Sequence, residues 1–256
     1  MNIQRIGLLA LMVLGISPIF HIAAEPDSLR TGSFTITHSP GKLLGEAAQK
    51  VASVIPVDEP ISWEVYIPES YGADSPAGIV VYVSPSQSGR PPRGWTSVMD
   101  EHNLIWIGAN QSGNRVLVSR RVMKAILALN AIQQEYVLDE TRIYVAGFSG
   151  GGKTASMIAT DYADTFDGGF FVCGVEFWNV DEPRHFRAIQ SNRYVFLTGE
   201  RDHALEPTKR VYRKYRDAGV PHIQLVIVDD MGHDNPPRRE ISRAIEFLDG
   251  GASRLR

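Results

Sequence analysis

"GFSGGGKT", Gly147–Thr154, satisfies two patterns at once, and the choice between them decides the fold. Residues Gly147 to Gly151 fit G-x-S-x-G, the sharp strand-to-helix turn that lifts a nucleophilic serine out of a sheet. The whole octet fits G-x-x-x-x-G-K-[ST], a phosphate-cradling loop in which Lys153 and Thr154 would serve a triphosphate and its magnesium. Each pattern needs a strand before it and a helix after it. Each also uses the free N–H groups of a helix N-terminus, for phosphate in one case and for a transient oxyanion in the other. "RIYVAG" before the octet and Ala155–Tyr162 after it supply that context for either, so the discrimination has to come from the rest of the chain.

Working outward, short runs of β-type residues alternate with helical patterns. Strands are expected at Ser33–His38, "ISWEVYIP", "GIVVYV", "LIWIGA", "RIYVAG", "GGFFVCG", "YVFLTG" and "IQLVIVDD". Helices are expected near Leu43–Val54, Trp95–Glu101, Val118–Tyr136, Ala155–Tyr162, Pro207–Ala218 and Arg238–Leu248. In the third of these, Val122, Ile126, Leu129 and Ile132 fall on one face. Continuous apolar runs such as "GIVVYV" belong to strands covered on both faces, whereas "ISWEVYIP" alternates. The pattern predicts an α/β fold with a mainly parallel sheet, helices on both faces and antiparallel first elements at one edge. No linker divides the chain, so residues 25–256 are expected to form one domain.

A chain of 256 residues, 43% hydrophobic, can bury a full core. A net charge of −3 without a basic block gives no footprint for nucleic acid. At the N-terminus, Asn2–Arg5 form a short polar start, Ile6–Phe20 an apolar run, and Ile22-Ala23-Ala24 a small-residue cleavage site. That order is a secretory signal peptide over residues 1–24, and it implies a secreted or periplasmic protein. An uncleaved anchor is the alternative, but Gly15, Pro18 and His21 shorten the apolar run, so no stable membrane anchor is expected after cleavage. Cys173 is the only cysteine, which excludes an intramolecular disulfide; within "GGFFVCGV" it reads as a small core residue.

The phosphate reading draws support from "LVIVDD", a hydrophobic strand ending in aspartates. Three observations oppose it. Several strands and helices precede Gly147; an exported protein meets little nucleoside triphosphate; and the polar clusters "TGERDHALEP" and "DDMGHDNPP" stay unexplained. The serine reading uses both clusters. Asp202 follows "YVFLTG" and His233 follows "IQLVIVDD", giving the chain order Ser149…Asp202…His233 at the carboxyl ends of parallel strands. Asp202 competes with Glu200 and Glu206, and His233 with His203 and His222.

With those residues in place, the sequence resembles the α/β-hydrolase superfamily, and more narrowly the secreted esterases of the polyhydroxybutyrate depolymerase and feruloyl esterase type. The resemblance runs from about Trp63 to Phe247 and is carried by "WEVYIPESY", "LDETRIYVAGFSGGGKTASMIA", "TGERD" and "MGHDNPP". It implies that Ser149 attacks a substrate carbonyl, that His233 is its base, and that Asp202 orients the histidine. It also implies an oxyanion hole made by the Gly150 N–H and one from the loop after "GIVVYV". There Ser84-Pro85 replaces the usual His-Gly; Pro85 has no N–H, so Ser86 is expected as the second donor, with Gln87 next. Phe148, Phe177 and Trp178 are candidate pocket residues, the last two equally readable as core. Lys153 reads as a solvated helix lysine that could also touch an acidic substrate. The short connection after Cys173 predicts little or no cap. The implied partner is a small-molecule or polymeric ester, with no cofactor and no metal. The alternatives are a nucleotide hydrolase, a catalytically inactive binding protein of the same fold, and a serine peptidase on that fold.

Overall fold

The computed structural model describes residues 30–72, 74–178 and 183–250; the expected signal peptide, residues 1–24, lies outside them. β1 (Gly32–His38) leads to α1 (Pro40–Leu44), whose N-terminus is capped by the Ser39 hydroxyl accepting from the Lys42 N–H. The helix expected over Leu43–Val54 stops early. Gly45, at φ 55°, ends α1, and the chain tightens into a 3₁₀ turn over Gly45–Lys50.

Then come β2 (Ile61–Ile67), β3 (Ala77–Val83), α2 (Trp95–His102), β4 (Leu104–Ala109) and α3 (Val118–Ile132). β5 (Leu138–Phe148) runs into α4 (Gly150–Asp161), followed by β6 (Gly168–Val172). α5 (Phe186–Ser191), β7 (Arg193–Gly199), α6 (Leu205–Asp217), β8 (Ile223–Val228) and α7 (Arg238–Leu248) complete the order. The short α5 was not foreseen from the sequence.

The strands form one eight-stranded sheet in the order β1-β2-β4-β3-β5-β6-β7-β8. β2 runs against both its neighbours, and β3 to β8 are mutually parallel, as the alternating elements predicted. β3 is wholly buried and β2 alternates, which matches the two-sided and one-sided apolar patterns of their sequences.

Alternate residues of each strand feed two cores. On one face Ile79, Val81, Ile143, Val145 and Phe171 meet α3, α4 and α6. On the other, Val80, Tyr82, Trp106, Tyr144 and Phe170 meet α2 and α7. Because α2 and α3 lie on opposite faces, the chain leaves β3 outward to β4 and returns to β5 on β3's other side. A crevice therefore opens between the carboxyl ends of β3 and β5, where Val83 pairs with Gly147.

Trp106 of β4 ties this crevice to the core. It is fully buried, stacks on Tyr82 at 4.4 Å between ring centres, meets Trp95 edge-on at 5.1 Å, and donates its indole N–H to Gly89 O at 2.9 Å. Gly89 lies in the loop after β3, so the tryptophan holds that loop against the sheet. Trp106→Ala should lower unfolding free energy by about 3–5 kcal/mol, the usual range for a deleted core tryptophan. Urea denaturation measures this.

Candidate active site

At the carboxyl end of β5 the chain turns sharply at Ser149, whose backbone sits at φ 56°, ψ −123°. This is a conformation that a non-glycine residue adopts at a cost of roughly 1–3 kcal/mol. It persists because its surroundings leave no other path. The Ser149 N–H donates to Val172 O at 2.8 Å, and Ser149 O accepts from the Lys153 N–H at 3.1 Å as α4 begins. A Cβ on Gly147 would press on the Gly151 backbone, one on Gly151 would strike Val83 O, and one on Gly174 would strike Ser149 O. The glycines thus let three backbone segments close around one serine, and its side chain stands out of the sheet.

His233, in the loop between β8 and α7, brings Nε2 to 2.9 Å from Ser149 Oγ. Its Nδ1 lies 2.8 Å from Asp202 Oδ1. Phe148 packs beside the imidazole, with ring centres 5.0 Å apart. The sequence order Ser149…Asp202…His233 therefore becomes a spatial chain of hydrogen bonds. The competing residues lie elsewhere: Glu200 accepts from the Asp230 N–H, Glu206 pairs with Lys209 on the surface of α6, and His222 accepts through its backbone from Tyr194. His203 is the exception. Its ring lies over His233 at 4.3 Å and its Nδ1 is 3.3 Å from the same Asp202 oxygen, but its side chain is largely exposed.

Asp202 is buried. Burial pushes its carboxyl upward, but hydrogen bonds from the Ala204 N–H, the Cys173 thiol, His233 and the Thr198 hydroxyl outweigh it and hold the group below its ordinary range. Cys173 is buried as the sequence indicated, and desolvation raises its thiol far above the usual value. Cys173, Asp202 and His233 stand close enough to share a metal ion. The protonated thiol is a poor ligand, however, and the imidazole and carboxylate already satisfy one another.

The loops after β3 and β4 close over the elbow. Gln111 N–H donates to Gln87 O at 2.7 Å, Asn114 N–H to Pro85 O at 3.0 Å, and Gly89 N–H to Asn110 Oδ1 at 2.9 Å. The two expected second donors, Ser86 and Gln87, differ in their hydrogen bonding. The Ser86 N–H is taken up by Ser84 Oγ at 3.1 Å, as a serine after a tight turn often bonds locally. Among the described residues the N–H groups of Gln87 and Gly150 have no hydrogen-bond partner. Gly150 opens a helix, where the first N–H groups are free by construction.

Phe177 and Trp178 take the core reading. They stack on each other at 4.0 Å, and both meet Tyr215 of α6 edge-on. Lys153 is the solvated helix residue expected, in an exposed pair with Glu176 at 2.9 Å. Thr154 is buried and donates its hydroxyl to Gly150 O at 3.1 Å, so neither Lys153 nor Thr154 is arranged to serve a phosphate.

Two cations were missed by the sequence reading. Arg121 and Lys124 of α3 are 3% and 5% exposed, and they donate to backbone carbonyls around the elbow. α3 is buried nearly all round beyond its first turn, so a charge within it has little access to water, and the one-sided apolar pattern of its sequence gave no sign of this.

The chain has the α/β-hydrolase fold, and over residues 110–185 it matches the model of the prolyl oligopeptidase family. No curated protein matches it. Among solved structures, S-formylglutathione hydrolase from Staphylococcus aureus superposes with a TM-score of 0.62 at 15% identity, over 86% of this chain and 99% of that one. A ferulic acid esterase gives 0.65 at 18% identity, over 86% and 99%. The poly(3-hydroxybutyrate) depolymerase LpqC from Bordetella parapertussis gives 0.60 at 17%, over 86% and 90%.

The lowered carboxyl of Asp202 makes a stability prediction. Its contribution is present above the ordinary carboxylate pKa and is lost as pH falls through the depressed folded value. Asp202→Asn should cost about 1–3 kcal/mol at neutral pH, as expected for charged hydrogen bonds lost from a buried site. The gap to the native protein should narrow as the solution is acidified below the carboxylate range. Urea denaturation at neutral and acid pH measures both.

Proposed function

We propose that the protein is a serine hydrolase acting on carboxylic esters through an acyl-enzyme. The observation that carries this reading is the continuous bond chain from Ser149 Oγ to His233 Nε2 at 2.9 Å and from His233 Nδ1 to Asp202 Oδ1 at 2.8 Å. His233 Nε2 takes the hydroxyl proton as Ser149 Oγ bonds to the substrate carbonyl carbon. The carbonyl oxygen becomes an oxyanion, which the N–H groups of Gly150 and Gln87 stabilise. The imidazolium formed is held by Asp202, which stays ionised throughout. His233 then passes its proton to the departing alkoxide, leaving the acyl group on Ser149. A water molecule, deprotonated by the same nitrogen, releases the acid and restores the hydroxyl. No metal or organic cofactor enters any step.

An ester rather than a peptide bond is favoured because the chain spans nearly the whole length of the ferulic acid esterase and the S-formylglutathione hydrolase. The second reading, a serine peptidase, rests on the prolyl oligopeptidase match, which contains Ser149 but neither Asp202 nor His233. The substrate class includes small or polymeric esters.

Turnover of a short-chain p-nitrophenyl ester tests the proposal. Ser149→Ala should abolish turnover and fluorophosphonate labelling while the protein stays folded. Asp202→Asn should lower kcat by about 10⁴-fold, through the wrong histidine tautomer. Undiminished turnover by Ser149→Ala would refute the mechanism.

We also propose export, supported by the three-part pattern of residues 1–24. Protein expressed with its full leader and recovered outside the cytoplasm should have a mature mass that begins at Glu25. Full-length protein retained in the cytoplasm would contradict this.

A further inference from the structure

We propose that Arg121 and Lys124 form a buried cationic brace that positions the oxyanion donors; the inference rests on the serine-hydrolase reading given above. The two residues stand three apart on α3 and so share one helix face, turned toward the crevice. Arg121 spends its fork on three separate chain segments. Nε donates to Ser112 O at 2.8 Å, Nη2 to Ser84 O at 3.0 Å, and Nη1 to Gly150 O at 3.2 Å. One rigid, planar group therefore fixes the elbow, the loop after β3 and the loop after β4 relative to one another.

Lys124 extends the brace by one link. Its Nζ donates to Gln111 O at 2.9 Å and Asn110 O at 3.2 Å, and the Gln111 N–H in turn holds Gln87 O at 2.7 Å. Gln111 takes a left-handed backbone, φ 50°, in making this link. Both residues whose N–H groups face the proposed oxyanion are thus tied to the same helix. Gly150 is reached directly and Gln87 through Gln111.

The chemistry of the partners favours function over simple cohesion. Arg121 and Lys124 form no ion pair with a carboxylate among the described residues; each lies against carbonyl dipoles. Burial lowers the pKa of both, yet an arginine keeps its charge in a folded protein. A positive charge held in a water-poor region behind the elbow favours negative charge forming in front of it. It also polarises the peptide groups that flank the free N–H donors. Arg121 is therefore a positioning residue whose influence grows as the tetrahedral intermediate forms, when the oxygen becomes an anion.

The experiment compares Arg121→Met, Arg121→Lys and Lys124→Met with the native protein, using the same p-nitrophenyl ester. Active sites are counted by fluorophosphonate titration, so misfolded protein does not enter kcat, and thermal unfolding is followed alongside. Arg121→Met is expected to lower kcat by about 10²-fold, the scale of one lost oxyanion donor, with KM changed less than threefold. The inhibition constant of an alkylboronic acid, which becomes a tetrahedral anion on Ser149, should rise in parallel. Arg121→Lys should recover part of kcat, and Lys124→Met should lower it by a smaller factor. If Arg121→Met does not fold, Arg121→Lys and Lys124→Met must still show the loss in kcat. Kinetics within threefold of native in the folded variants, with only thermal stability reduced, would overturn the brace. Full turnover by Ser149→Ala would instead show that the underlying hydrolase reading had failed.

Discussion

The site depends on a steric constraint at one residue: Ser149 must adopt a left-handed backbone between the last residue of β5 and the first turn of α4. Neither neighbour can yield, because β5 is fixed in the middle of the sheet and α4 is packed on one face of it. The chain therefore reverses within a single residue. That reversal is possible because Gly147, Gly151 and Gly174 carry no Cβ where backbone approaches backbone. The strained serine is stabilised by the surrounding sheet and helix, and its hydroxyl is aimed by them. Asp202 and His233 then need only lie at the ends of the next strands outward, beyond β7 and β8.

Charge around the elbow is divided by access to water. Lys153 lies one turn into α4, extends to the surface and pairs with Glu176 where solvent screens both. Arg121 and Lys124 lie beneath the same elbow, with carbonyl dipoles instead of water. Two cations held in this way cost stability, since each must be desolvated without an anion to offset it. In the acyl transfer proposed above, where an anion forms transiently, the same arrangement would favour the transition state. Asp202 shows the opposite balance: four donors converge on a buried carboxylate and keep it ionised.

The β6–β7 segment carries the short helix α5, and its aromatic residues Phe177 and Trp178 are drawn into the cluster around Tyr215. Burying two large rings against α6 gains more than leaving them at a site mouth, where water would reach them. The loop after β3 is pinned from below by Trp106 and from the side by Gln111.

Much was legible along the chain because it rests on local rules. The two-sided apolar strands, the alternation with helices and the antiparallel edge follow from side-chain periodicity, and the structure has them. That Ser149, Asp202 and His233 would come together was legible because strand, turn and chain order constrain them jointly, and the structure links them by hydrogen bonds. What the sequence alone left open depended on partners distant in the chain. Which of the Ser86 and Gln87 N–H groups stays free depended on one hydroxyl, Ser84 Oγ, accepting the Ser86 N–H. The fate of Phe177 and Trp178 was decided by Tyr215, which lies on another helix. The depth of Arg121 and Lys124 depended on how α3 settles between the sheet and two loops. Periodicity fixes which face of a helix is apolar, but only tertiary packing determines which polar groups meet there, because hydrogen bonds across the fold depend on distances that sequence spacing does not contain.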